Sequence, residues 1–160
     1  MNEEQMQAKG LELSNIIADK FHKQNNGEAY MAFLDSAKSN PITAIAQVVS
    51  DLVNKLYMEG GVKDIPVLIV TIGYLMQHFV EGATEATGIN LGGEEQSLII
   101  SHIFKRLSED NQELAQIFQQ LKAEMDGQQG AQQNNQAGEI PPEMQAQPSQ
   151  QSPGIGLLGQ

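Results

Sequence analysis

Three histidines, His22, His78 and His102, are the side chains best suited to proton transfer or metal binding near neutral pH. His78 stands out because Glu81 follows at i+3 and Glu85 at i+7, so one helix face would carry an imidazole and two carboxylates. Such a set could hold a metal ion. A carboxylate-bridged di-metal bundle, however, needs Glu-x-x-His on two helices and further inward-facing Glu residues. Here the order is reversed and occurs once. Asp19 and His22 have the right order with a shorter acid, but they lie at the edge of an apolar stripe. The expectation is that His78 and His102 are surface or boundary histidines.

Other chemistries lack parts. Without cysteine there is no thiolate nucleophile, disulfide or zinc-finger pattern. No Gly-x-Ser-x-Gly elbow occurs, and Ser101 and His102, adjacent on a helix, would diverge. Glu94-Glu95 and Glu109-Asp110 flank helix starts, where carboxylates complement the dipole. The loop Gly88 to Gly93 precedes a helix, yet it lacks a Lys-Ser/Thr pair, and Glu94-Glu95 would repel a phosphate. The sequence therefore predicts no enzyme, with no catalytic, cofactor-binding or metal-ligating residue and no cofactor.

The elements that would position these residues are helical. Met6, Leu13, Ile16, Ile17 and Phe21 form one stripe, and Tyr30, Phe33, Leu34 and Ala37 a second after Asn25-Asn26-Gly27. Asn40-Pro41 is a start signal for a helix carrying Ile42, Ile45, Val49, Leu52 and Leu56, which Gly60-Gly61 ends. These five fit heptad positions for only two heptads, too few for a coiled coil. Asp64-Ile65-Pro66 opens the most apolar segment, which runs to about Thr87. Leu98, Ile99, Ile103, Phe104 and Leu107 form the next stripe. Asp110 and Glu113, at capping-box spacing, precede Leu114, Ile117, Phe118, Leu121 and Met125. The β-branched run Val67 to Ile72 resembles a buried strand, but no partner strand exists elsewhere in the pattern. An all-α bundle of about six helices is expected over 1–126.

From Gly127 to Gln160 there are 34 residues with ten Gln, six Gly and four Pro, and no Lys, Arg or aromatic residue. Such a segment buries too little apolar surface to offset its ordering entropy, so a disordered or extended tail is expected. It ends in an apolar tip, where Ile155, Leu157 and Leu158 are candidate partner-docking residues. The chain carries 20 acidic and nine basic residues for a net charge of −11, which argues against direct nucleic-acid binding. Residues 1–126 alone hold 18 of the acids and all nine bases, so the acidity belongs to the helical part.

Ile65 to Val80 raises the question of a bilayer. Val67, Leu68, Ile69, Val70, Ile72 and Leu75 make it apolar, but 16 residues interrupted by Pro66, Thr71, Gly73, Gln77 and His78 fall short of a span. A central core helix is expected, with conditional membrane insertion as the alternative. The start, Met1-Asn-Glu-Glu-Gln, is acidic where a signal peptide is basic.

The Gln-rich run Gly127-Gln-Gln-Gly-Ala-Gln-Gln-Asn-Asn-Gln136 and the ending Pro153-Gly-Ile-Gly-Leu-Leu-Gly-Gln160, following an acidic helical domain, resemble minor virion proteins of tailed bacteriophages. The similarity is to portal-proximal or internal, ejected proteins, and it covers the tail and the architecture. It implies a structural role, assembly into a particle, protein partners with self-association, and location in the virion; otherwise the cytoplasm is expected. Scaffolding proteins are a neighbouring class, but no Lys or Arg follows Lys122 to form their basic C-terminal helix. A membrane-active protein inserting 65–80 is the second expectation, and a small acidic regulatory binder the third.

Overall fold

The computed structural model describes residues 1–124 and divides the chain into two units, Met1–Ala115 and Gln116–Gln160. The candidate docking residues Ile155, Leu157 and Leu158, and the expected tail as a whole, lie outside the described residues. Within them the protein is all-α: α1 (Glu3–Lys23), α2 (Glu28–Ser39), α3 (Pro41–Met58), α4 (Ile65–Thr87) and α5 (Gly93–Asp110). Five helices are thus bounded, one fewer than the expected six; the residues of the sixth run helical from 112 to 124, where the described chain stops.

Local chemistry explains the boundaries. Asn2 caps α1 in a capping box, accepting from the Gln5 amide at 2.8 Å while its own amide donates to Gln5 Oε1 at 3.0 Å. Asn25, Asn26 and Gly27 all take positive φ, 51°, 57° and 89°, which stops α1 and turns the chain into α2. Asn40 caps α3 through the Thr43 amide, with Pro41 in the first turn. Asp64 caps α4 through the Val67 amide, and Gly88 at φ 75° ends it. The β-branched run Val67 to Ile72 is helical within α4, as the missing partner strand required. The expected capping box at Asp110 gives way to Asn111, whose side chain accepts from the Glu113 and Leu114 amides. Asp110 is instead the last residue of α5, because an Asx cap one residue later satisfies those orphan donors.

Two helices form the centre. α4 packs against α1, α2 and α3, and α3 packs against α2, α4 and α5, with α1 on α4 and α3 on α5 the broadest pairs. The core is aliphatic around Ile45, Val49, Leu68, Leu75, Ile99, Ile103, Leu107 and Leu114. Of the apolar residues singled out in α4, Val67, Leu68, Ile72 and Leu75 are buried, Val70 is half-buried, and Ile69 is 38% exposed. Four aromatic side chains cluster where α1, α2 and α4 meet: Phe21 of α1, Tyr30 and Phe33 of α2 and Phe79 of α4 form a chain of ring contacts 5.0–6.5 Å apart.

The stripe expected on α1 is not what the core takes up. α1 buries Gly10, Ser14 and Ala18, while Ile16 is 45% exposed and Met6, Leu13, Ile17 and Phe21 are half-buried. The reason is proximity: a Cβ on Gly10 would lie 2.5 Å from Val70 Cγ1, so the two helices approach too closely for larger side chains. Leu98 departs in the same way from its stripe on α5, remaining 49% exposed beside buried Ile99.

Candidate functional site

The close packing of α1 on α4 joins two histidines that the sequence separates by 56 positions. His22 Nε2 and His78 Nε2 lie 2.9 Å apart. His22 belongs to the last turn of α1, and the parallel run of α1 along α4, from Gly10 against Val70 to His22 against His78, delivers it there. Tyr30 of α2 lies over the other side of His22, with centroids 3.9 Å apart and planes tilted by 35°. Phe79 stands edge-on to His78 at 5.2 Å. The pair therefore sits on the rim of the aromatic cluster, with His22 half-buried and His78 exposed.

The geometry selects among the chemistries a histidine pair can support. The ring centroids are 5.1 Å apart, as far as two head-on imidazoles with a 2.9 Å nitrogen contact allow. Each Nε2 thus points at the other, the arrangement of an N–H···N hydrogen bond between one donor and one acceptor tautomer. Chelation would need both lone pairs to converge on a third point about 2 Å away. Burial, reinforced by His78, lowers the pKa of His22 below its ordinary 6.5, and Asp19 opposes part of that shift.

His78, Glu81 and Glu85, the trio the sequence offered as able to hold a metal, with His78 read instead as a surface or boundary histidine, make separate contacts. Glu81 accepts from Gln77 at 3.4 Å. Glu85 acts on Tyr30, whose hydroxyl is raised by burial first and by that carboxylate second. Among the described residues no group of three or more His, Cys, Asp or Glu is placed to hold a metal ion. At the Gly88–Gly93 loop, Glu95 folds back to accept from the Gly92 amide at 2.8 Å, so a carboxylate already occupies the entrance of α5. His102 is exposed on α5.

What the sequence missed is the His22–His78 contact itself and a groove beside α1. α1 and α3 each pack on α4 but scarcely touch one another. Between them opens a groove of about 300 Å³, floored by Ile17, Phe21, Leu52 and Leu56 and edged by Lys20, Lys55 and Glu59. The signal for it was the surplus of apolar residues on α1, which the sequence could not distinguish from core. No protein-family model, no curated protein and no solved structure matches the chain.

Proposed function

We propose that the protein is a non-enzymatic structural or assembly component that docks on a larger protein complex. The supporting observation is the outer face of α1. An amphipathic helix normally turns its apolar stripe to the core; here small residues fill that role, Ile16 is exposed, and Leu13 and Ile17 are only half-buried beside an apolar groove. Exposed Ile100 and Leu98 on α5 add to the apolar surface. Side chains of this kind, rimmed by charge, are typical of protein contact sites. The acidic helical domain and Gln-rich tail are consistent with a minor virion protein of a tailed phage, placed in the head, portal or ejection apparatus. The test is gradient sedimentation of native particles, with antibody detection of this chain. Co-migration with an intact particle supports the reading, and recovery solely as free monomer overturns it.

A second reading has one observation in its favour. Among the described residues α4 is the one helix long and apolar enough to cross a membrane, with 23 residues, less than half of its apolar stretch being buried in the bundle. The second reading is insertion of α4 into a bilayer after the bundle opens. Flotation with liposomes separates the two, since an assembly protein stays in the soluble fraction.

A further inference from the structure

Glu12, Ile16 and Lys20 follow one another at four-residue steps along the outer face of α1, so they stand in line with the isoleucine midway between opposite charges. All three are exposed, and neither Glu12 nor Lys20 makes an ion pair among the described residues. The nearby Lys23 behaves differently, being held by Asp19 at 2.9 Å. Leu13 and Ile17 flank this line on the side of the groove, and Ile17 and Lys20 belong to its wall.

A line reading acid, apolar, base is complementary to itself when reversed. We propose that α1 is a homotypic docking face: a second copy of this chain lays its α1 antiparallel on the first, about a two-fold axis through Ile16. The occupant follows from the charges. At 1.5 Å per residue Glu12 and Lys20 each lie about 6 Å from Ile16, so the antiparallel arrangement sets Glu12 of each copy opposite Lys20 of the other. Two symmetric ion pairs then bracket an Ile16–Ile16 contact, the self-complementary pattern of an isologous interface. The same arrangement carries Leu13 of the second copy over Ile17 and Lys20, at the mouth of the groove. The arrangement also brings Lys9 of each copy opposite Lys23 of the other, but Lys23 is already held by Asp19; a parallel pairing would oppose like charges at Lys9, Glu12, Lys20 and Lys23 alike and is disfavoured. One helix pair buries less than the ~1,200 Å² of a stable dimer, so association is weak in solution and is strengthened where a larger assembly brings copies together.

This inference rests on the assembly reading and names its partner, and sedimentation equilibrium of the full-length protein tests it. From about 10 μM to about 1 mM, wild type should pass from monomer towards dimer. Glu12→Lys and Lys20→Glu should each stay monomeric over that range with unchanged helical circular dichroism and melting temperature. An equimolar mixture of the two should associate again, because one chain then carries a base at both positions and the other an acid at both. The double variant, with wild-type net charge, should also dimerise, and Ile16→Gln should not. Wild-type-like association of both single variants would place self-association elsewhere and overturn the proposed face while leaving the assembly reading intact. A wild type that is monomeric throughout overturns the proposed dimer. The assembly reading fails separately, if particle sedimentation shows the chain only as free monomer.

Discussion

The 2.9 Å contact between His22 and His78 ties the last turn of α1 to the middle of α4, across the broadest helix pair in the described chain. A neutral pair satisfies it with one Nε2–H and one bare Nε2, and a singly protonated pair still does. When both rings are protonated, two N–H groups face one another and the bond is lost. The charged or titratable groups around it are Asp19 on α1, Tyr30 on α2, and on α4 Glu81 and Glu85, one and two turns beyond His78.

Acid should therefore weaken the fold through His22. Its pKa in the folded protein is below the ordinary 6.5, so the unfolded chain binds more protons over this range. The contribution is complete above about pH 6.5 and is lost as pH falls through the lowered folded value. Melting temperatures measured from pH 8 to pH 4.5 should drop more for wild type than for His22→Gln, which does not titrate. Parallel curves for the two proteins would show that the pair does not couple to folding.

Gly10 and Gly73 should respond in opposite ways to the same substitution. A Cβ on Gly10 meets Val70 Cγ1 at 2.5 Å, Val70 Cβ at 2.9 Å and the Thr71 backbone nitrogen at 3.3 Å, whereas at Gly73, beyond its own helix backbone, nothing among the described residues lies within 4 Å. Gly10→Ala should destabilise by about 1–3 kcal/mol through overpacking. Gly73→Ala should stabilise by about 0.5–1 kcal/mol from helix propensity alone. Denaturant melts of the two variants check both signs; a stabilised Gly10→Ala would mean that α1 does not press on Val70.

Leu68 tests the place of α4. It is 1% exposed, and Leu68→Asp should cost several kcal/mol and unfold the domain, since an unpaired carboxylate would be stranded in an aliphatic core. Ile69→Asp, at a position 38% exposed, should fall within about 1 kcal/mol of wild type. Equal damage from the two would show that the outer side of α4 is also covered.

Tyr57 links the end of α3 to Glu113, just beyond α5. It is 1% exposed, Lys63 Nζ stands 3.6 Å over its ring, and burial followed by a hydrogen bond to Glu113 raises its hydroxyl pKa. Tyr57→Phe should remove about 1 kcal/mol, the ordinary net worth of such a bond. Tyr57→Ala should remove about 3–5 kcal/mol by leaving a cavity. Chemical denaturation separates these two losses.

The sequence by itself determined the helices. Their caps at Asn40, Asp64 and Gly88 are local hydrogen-bonding and φ preferences, and the residues that carry them are adjacent in the chain. The helical state of Val67 to Ile72 was likewise legible, because a strand needs a partner and none was written. Tertiary structure alone decided which face of each helix is inside. Hydrophobic spacing on α1 named Leu13, Ile16 and Ile17, but where α1 presses closest on α4 the fully buried residues are Gly10, Ser14 and Ala18, while Leu13 and Ile17 are half-buried and Ile16 is exposed. Periodicity reports that a helix has an apolar face; how closely another helix can approach depends on side-chain volume on both, which no single segment encodes. The His22–His78 contact has the same origin, since two residues on separate helices meet only once the crossing of α1 on α4 is set.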